Sequence, residues 1–196
     1  MACDISMGRD EVCKDGLGGL RKIYIVNYNS SYYDSVSSGD LGDEEISTIS
    51  TLPASANAYE FELRSDNNTL EETNEQSRDN GTSFWTQTLT VNLKKQSKES
   101  QAQLKLLSYG RPHVIVEDSN GLYRLLGFQN GMEVSVNTMT GGALGDMSGY
   151  SLTFEGKELN PAYFVADSLI NSYNSSSNDN PLAGKFNIDT NPNEKM

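Results

Sequence analysis

The residue types that most often carry chemistry are scarce in this chain, which has one histidine, His113, and two cysteines, Cys3 and Cys13. A single histidine excludes metal sites built on paired imidazoles, and two thiols without a neighbouring histidine cannot complete a four-ligand zinc site. A reducing cytoplasm disfavours a disulfide, so we expect free thiols, with pairing of Cys3 and Cys13 as the alternative. The sequence therefore predicts no metal site.

His113 needs partners from elsewhere to take part in catalysis. Ser108 and Asp118 offer a formal Ser-His-Asp arrangement, but the chain has no G-x-S-x-G turn of the kind that exposes a serine nucleophile. His113 follows Pro112 and begins an apolar run, so we interpret it as a strand-end histidine held by local hydrogen bonds. The sequence predicts that the protein is not an enzyme.

Acidic side chains are the remaining candidates, and they are concentrated in one part of the chain. Ten acids lie between positions 43 and 79, opposed only by Arg64 and Arg78. Glu71 and Glu72 are adjacent, and adjacent side chains of a strand point to opposite faces, so these two carboxylates are poor partners in one site. We therefore interpret the acids as a solvated face.

Two patterns resemble ligand-binding loops without completing them. Asp118-Ser-Asn-Gly resembles the start of a calcium loop, but the remaining ligands and the closing glutamate are missing. The glycine-rich segments 16–19 and 141–145 lack the Lys-Ser/Thr of a phosphate loop. The sequence predicts a hairpin turn for the first, irregular connections for the others, and no cofactor.

Composition narrows the function classes further. The 196 residues carry a net charge of −12, so binding to nucleic acid through a basic patch is not expected. Hydrophobic residues make up 36%, below the usual ~45–50%, which indicates a large polar surface or polar tails. No apolar run is long enough for a transmembrane helix and the N-terminus has no signal-peptide pattern, so we expect a cytoplasmic product without membrane insertion.

The elements that must position these residues centre on the segment from Asp79 to Asp118. Its first part alternates between apolar positions (Trp85, Leu89, Val91, Leu93) and polar ones (Thr86, Thr88, Thr90, Asn92). This alternation predicts a strand with one buried face and with Trp85 in the core. A short helix follows, with Ser97 as its N-cap, Gly110 at its end, and Ala102, Leu104, Leu106 and Leu107 as its apolar residues. Residues 114–116 then predict another strand.

Further strands surround this unit. The apolar centre of segment 20–28 predicts a strand covered on both faces. Segment 46–52 alternates weakly, and segment 59–63 alternates cleanly with Glu60 and Glu62 outward. Segments 114–117, 122–128 and 132–136, joined by turns at Ser119-Asn120-Gly121 and at Asn130-Gly131, predict an antiparallel meander, and a Gly-rich connection then leads to segment 148–154. The fold class is therefore mainly β, an antiparallel barrel or sandwich with one short packed helix.

We divide the chain into an N-terminal arm (1–19), a β domain (20–160, with its helix near 98–108) and a largely irregular C-terminal extension (161–196). Segment 67–80 predicts either a solvent-facing strand or a mobile loop. Exposed sheet edges invite pairing with other chains, and head-to-tail contacts close into rings, so we expect an assembly subunit. The candidate interface or channel residues are Glu71, Glu72, Glu75, Arg78 and Asp79.

Several segments resemble phage structural proteins of tail-tube type. They are N-G-T-S-F-W-T-Q-T-L-T-V-N-L-K-K (80–95), Y-G-R-P-H-V-I-V-E-D-S-N-G (109–121) and G-G-A-L-G-D-M-S-G-Y-S-L-T-F (141–154). The N-terminus, from C-D-I-S-M-G-R-D to G-G-L-R-K-I-Y, is similar to the start of such proteins in phages of Bacteroidetes, including crAss-like phages. The resemblance covers roughly residues 1–160.

This resemblance implies a small β-barrel or sandwich, six copies of which form a ring around a DNA channel. In short-tailed relatives such folds serve as hub or head-to-tail connector rings, so twelve copies are the alternative. It also implies a place in the virion tail, assembly in the host bacterial cytoplasm, and other tail or connector proteins as partners. A different hypothesis is a carbohydrate- or surface-binding sandwich that uses Tyr32, Tyr33 and Tyr150.

Overall fold

Twelve strands and one helix form the part of the chain that the computed structural model describes, which comprises residues 14, 16–29, 36–38, 45–49, 57–64, 67–166 and 187–189. The first elements are β1 (Leu20–Val26), β2 (Val36–Ser38), β3 (Glu45–Ile49), β4 (Asn57–Glu62), β5 (Thr69–Ser77), β6 (Thr82–Lys94) and α1 (Lys98–Leu107). They are followed by β7 (His113–Asp118), β8 (Tyr123–Leu126), β9 (Glu133–Met139), β10 (Gly149–Glu158), β11 (Tyr163–Val165) and β12 (Asn187–Asp189).

These strands form two sheets that pack face to face, which confirms the predicted mainly-β, sandwich-like fold. One sheet has eight strands in the order β12-β4-β1-β7-β8-β11-β3-β2, and the other has four in the order β5-β6-β10-β9. Every pairing in the four-stranded sheet is antiparallel. The described strands do not close into a barrel, so the sandwich is the correct alternative of the two.

The core lies between the two sheets. Ile23 and Ile25 of β1 belong to the same buried cluster as Leu89 of β6 and Phe154 of β10. Each side chain of this size contributes about 1.5–3 kcal/mol when fully buried. The neighbouring residues Tyr24 and Val26 are also buried, so β1 is covered on both faces, as its unbroken apolar run predicts.

Strand β6 confirms the predicted alternation, but Trp85 is not part of the core. Leu89 and Val91 are fully buried, whereas Trp85 is only half-buried. The reason is the register, because Trp85 pairs with Glu158, the last residue of β10, and residues 82–84 pair with β5 alone. Residues 82–84, at the start of β6, therefore extend beyond the sandwich. The buried polar side chain of Gln87 lies at the edge of the core.

Helix α1 begins as predicted and ends differently. The Ser97 hydroxyl accepts the N–H of Ser100 at 3.0 Å, which is the N-cap bond that its position in the sequence indicates. The C-cap is Ser108 in a right-handed conformation rather than Gly110. Leu104 packs into the core, while Leu106 is 65% exposed, so only part of the apolar set of α1 is used for packing.

The predicted meander after α1 is confirmed at its first turn and wrong at its second. Strands β7 and β8 form a hairpin in the eight-stranded sheet, but β9 and β10 belong to the four-stranded sheet, so the chain crosses between sheets at residues 127–132. The Asn130-Gly131 pair is therefore part of a crossing and not a hairpin turn. Both Gly127 and Gly131 have positive φ, and the N–H of Met132 donates to the Pro112 carbonyl, which docks the crossing against the segment after α1.

The edges of the predicted domain also differ in detail. Strand β11 pairs with β8 and β3, so the eight-stranded sheet includes residues beyond position 160.

In the N-terminal arm, the N–H of Leu17 donates to the Asn120 side chain, so the described part of the arm lies on the β7–β8 turn. In segment 59–63, Leu63 is buried and Phe61 packs against the core, as the alternation predicts, whereas Tyr59 on the same side is exposed. Cys3, Cys13, Tyr32, Tyr33 and most of the C-terminal extension lie outside the described residues.

Candidate functional site

The face of the four-stranded sheet that points away from the core carries almost only hydroxyl, amide and charged side chains. We call it the polar sheet face. Its residues are Thr69, Glu71, Thr73 and Glu75 of β5, Phe84, Thr86, Thr88, Thr90 and Asn92 of β6, Ser151, Thr153, Glu155 and Lys157 of β10, and Glu133, Ser135 and Asn137 of β9. Threonine suits this position because its branched side chain fits a strand and its hydroxyl remains in water.

Three of the carboxylates on this face lie in one line across the strands. Glu71 is directly opposite Thr88, Thr88 is opposite Glu155, and Glu155 is opposite Glu133. We call Glu71, Glu155 and Glu133 the acid row. Like charges directly opposite each other destabilise a sheet by a fraction of a kcal/mol, so folding alone does not favour this arrangement.

The five residues predicted from the sequence do not come together in one site. Glu71 and Glu75 lie exposed on the polar sheet face, where the Thr86 hydroxyl donates to Glu75 at 2.6 Å. Glu72 lies on the opposite face, as strand geometry requires. Arg78 and Asp79 are exposed in the turn between β5 and β6.

Glu72 has a structural role inside the sandwich. It accepts the N–H of Ala162 at 2.9 Å and lies 3.6 Å from the Arg124 guanidinium. These contacts fasten β5 to β8 and to the residues before β11. Glu72 therefore differs from the two exposed glutamates of β5, with which the sequence pattern groups it.

The four-stranded sheet has two outer strands, β5 and β9. Among the described residues, no strand pairs with the outer edge of either one.

At one end of the sheet the β5–β6 hairpin, with its turn at residues 78–81, extends past β10; we call this the hairpin end. At the other end, β6 finishes at Lys94 beside Gly149 of β10; we call this the lysine end. For segment 67–80 the sequence predicted either a solvent-facing strand or a mobile loop. The structure shows a strand there, β5, at the edge of the sheet.

Two buried titratable groups, His113 and Glu158, hold the crossing between the sheets. The ring of His113 is buried, and its Nδ1 donates to the Gly127 carbonyl at 2.7 Å. Burial lowers the pKa of His113 and so favours the neutral imidazole. Glu158, also buried, accepts the backbone N–H groups of Gln129 at 3.0 Å and of Asn130 at 2.8 Å. These two residues act on the backbone of the crossing, which matches the structural interpretation of His113.

Replacing Glu158 with glutamine should make the protein more resistant to rising pH. Burial raises the pKa of Glu158, and the two N–H bonds only partly oppose this shift. The stabilising contribution of the neutral carboxyl is complete below its unfolded pKa of about 4.3 and is lost as pH rises through the higher folded pKa. Glu158→Gln keeps an oxygen acceptor and never ionises. Denaturant unfolding measured between pH 4 and 8 should show the free energy of unfolding of the variant rising relative to that of the wild type, by about 1.4 kcal/mol per unit of pKa shift. A difference in free energy that stays constant over this pH range would contradict the prediction.

Two residues of the acid row, Glu133 and Glu155, are absent from the sequence-based candidates. The signal that was available is the alternation in segments 133–137 and 151–157, which places both carboxylates on the polar side of their strands. The register that aligns them with Glu71 comes only from the pairing of β9, β10, β6 and β5. Tyr150, a candidate for sugar stacking, is buried and donates its hydroxyl to the Ser97 carbonyl, so it offers no exposed ring.

The described residues contain no helix long and apolar enough to cross a bilayer, and no group of three or more metal-ligating side chains. Comparison of the chain with protein-family models, with curated proteins and with solved structures gave no match.

Proposed function

We propose that this protein is a ring-forming structural subunit of a phage tail, of tail-tube type, and that its four-stranded sheet lines a channel for DNA. The observation that carries the proposal is this sheet, which combines two free edges with a polar, acid-bearing outer face. The resemblance of segments 80–95, 109–121 and 141–154 to tail-tube proteins supports the same function. The role is structural, not enzymatic, and places the protein in the virion tail beside other tail or connector proteins.

The strand directions support closure into a ring. The order β5-β6-β10-β9 alternates direction at every step, so β5 and β9, at the two edges, run opposite to each other. Rotation about an axis along the strands preserves these directions and brings β5 of the next copy beside β9 in antiparallel orientation. One continuous antiparallel sheet then passes from copy to copy, and closure removes both edges of the four-stranded sheet.

The size of such a ring suits its proposed cargo. Six copies would contribute about 24 strands, which at ~4.8 Å spacing give a backbone diameter of about 37 Å, and more with the usual tilt of barrel strands. The threonine, serine and glutamate side chains of the polar sheet face reduce this opening only modestly. The remaining channel is wide enough for a DNA duplex.

The chemistry of the polar sheet face suits passage rather than binding. Carboxylates of the acid row repel the phosphate backbone, so DNA gains no sequence-independent affinity for the wall. Small hydroxyl side chains hold water, and the aromatic ring on this face, Phe84, is half-buried beside Lys157. A channel with this lining conducts DNA without retaining it.

The proposal predicts that purified protein forms rings of defined mass. Six copies of the 21.5 kDa chain give an assembly of about 129 kDa, and twelve copies about 258 kDa. Mass photometry over a concentration series, followed by electron microscopy of the same sample, measures both the mass and the central opening. A chain that stays monomeric at every concentration, or that stops at a two-fold dimer, would contradict the proposal.

A further inference from the structure

The dipeptide Asn-Gly occurs three times in the chain, at positions 80–81, 120–121 and 130–131. In such a pair the backbone nitrogen of the glycine can attack the side-chain amide carbon of the asparagine, because glycine has no side chain in the way. The new C–N bond closes a succinimide ring, the glycine nitrogen loses its proton, and the side-chain amide nitrogen leaves as ammonia. Water then opens the ring, at the side-chain carbonyl to give aspartate or at the main-chain carbonyl to give isoaspartate. The sequence alone gives all three pairs this chemistry.

The Asn120-Gly121 pair, in the β7–β8 turn, is held at both of its reacting groups. The Asn120 side chain accepts the Leu17 N–H and donates to the Leu17 carbonyl, each at 2.9 Å. The Gly121 N–H donates to the Asp118 carbonyl at 3.2 Å. The succinimide ring can close only after these hydrogen bonds break, so the fold slows the reaction here.

The Asn130-Gly131 pair, in the crossing between the sheets, is also held at both groups. The Asn130 side-chain amide donates to the Lys157 carbonyl at 2.8 Å. Gly131 is buried, and its N–H donates to the Gly127 carbonyl at 3.1 Å. The Arg111 carbonyl lies against Gly131, so the backbone of this pair has no room to move towards a ring.

The Asn80-Gly81 pair differs from the other two. Both residues are exposed in the turn of the β5–β6 hairpin, where the Asn80 backbone N–H donates to the Ser77 hydroxyl at 3.4 Å. Among the described residues, neither the Asn80 side chain nor the Gly81 N–H forms a hydrogen bond. A Cβ added to Gly81 would meet nothing within 4 Å, so the Asn80 side chain has open space in which to approach the glycine nitrogen. The fold leaves both reacting groups available at this pair.

We propose that Asn80 is a site of self-modification, at which the folded protein loses ammonia and acquires aspartate or isoaspartate, while Asn120 and Asn130 remain amides. The proposal goes beyond the proposed function and does not depend on it. Water is the only co-reactant, and no oxidation or reduction takes place. Either product adds a negative charge next to Asp79, in the turn of the hairpin end.

Isoaspartate also changes the backbone of this turn. Its peptide link runs through the side-chain carbonyl, which adds one methylene group to a loop that closes at the pair formed by Ser77 and Thr82. Residues 82–84 pair with β5 and lie beyond the end of β10, so the hairpin is only two strands wide at this point. Conversion should therefore loosen the tip of the hairpin and leave the part of β6 that pairs with β10 unchanged.

Peptide mapping by mass spectrometry tests the site in the full-length protein. In mildly alkaline buffer, where the glycine nitrogen loses its proton more readily, Asn80 should gain about one dalton at least about tenfold faster than Asn120 or Asn130, because hydrogen bonds restrain those two. In denaturant the three pairs should react at similar rates, since only the local sequence then acts. Asn80→Ser should abolish the fast conversion. Asn137→Ser, at an exposed asparagine that threonine follows, is the matched control and should leave it unchanged.

Hydrogen exchange of the converted protein measures the structural consequence. The amides of residues 82–84 should exchange faster than in Asn80→Asp, which has the added charge without the added methylene group. Equal exchange in the two proteins would overturn the loosening of the tip. Similar conversion rates at the three pairs of the folded protein, or faster conversion at Asn120 or Asn130, would overturn the site. A folded protein that keeps Asn80 intact under conditions in which the native fold persists and free Asn-Gly peptides convert would overturn it as well.

Discussion

Replacing Gly131 with alanine should destabilise the protein by about 3–5 kcal/mol, because two penalties act at one position. Its φ of +71° is unfavourable for alanine, and an added Cβ would lie 2.4 Å from the Arg111 carbonyl oxygen. That oxygen is backbone, so it cannot rotate away as the end of a side chain would. The crossing between the sheets passes directly over the segment after α1, and only a glycine allows this approach. Thermal unfolding should show a melting temperature lowered by roughly 10 °C.

Gly81 provides the matched control for this prediction. It also has positive φ, at +63°, but an added Cβ would meet nothing within 4 Å. Gly81→Ala should therefore show the backbone penalty alone, about 1 kcal/mol or 2–4 °C. Equal losses in the two variants would mean that the close approach of Gly131 to Arg111 contributes nothing.

The contrast between these glycines also shows what the sequence alone can predict. Alternation in β6, the unbroken apolar run of β1 and the Ser97 cap are local signals, because each follows from side chains within a few residues of one another. The structure confirms all three. The position of Trp85 outside the core is different, since it depends on where β10 ends opposite β6.

The crossing between sheets could not be predicted for a related reason. Asn130-Gly131 has the residues of a hairpin turn, and a turn pattern does not specify which sheet the next strand joins. That choice depends on distant side chains, because Gln87 of β6 accepts the N–H of Gly127 and Glu158 accepts two further N–H groups of the crossing. These residues are 28 to 40 positions away from their partners.

The candidate site shows the same difference between features set by local sequence and features set by distant residues. Alternation along β5 places Glu71 and Glu75 on one face and Glu72 on the other, which strand geometry predicts without a structure. The acid row, in contrast, exists only through the register of four strands from distant parts of the chain. The sequence therefore identifies the acidic strand but not the line of carboxylates to which Glu71 belongs.

Reversing the acid row should convert the proposed channel wall from a passive surface into one that holds DNA. The triple variant Glu71→Lys/Glu133→Lys/Glu155→Lys changes the charge of each copy from −12 to about −6, and all three side chains are exposed. Substitutions at exposed sites usually change stability by less than about 0.5 kcal/mol each, so rings should still assemble. Particles built with this variant should eject DNA at least about tenfold more slowly at low salt, because each lysine adds a phosphate contact that releases counterions.

Salt and a second variant separate this electrostatic effect from a change in shape. Affinity that depends on several phosphate contacts falls by about 10³–10⁵ between 50 and 200 mM salt, so ejection by the lysine variant should recover over that range. Glu71→Gln/Glu133→Gln/Glu155→Gln keeps the side-chain length and removes only the charge, and it should eject DNA with little salt dependence. Glu99→Lys, on the exposed face of α1, should have no effect, since α1 lies outside the proposed channel. Normal ejection by assembled particles of the lysine variant would mean that the acid row does not face DNA, and the polar sheet face would then belong to the outside of the assembly.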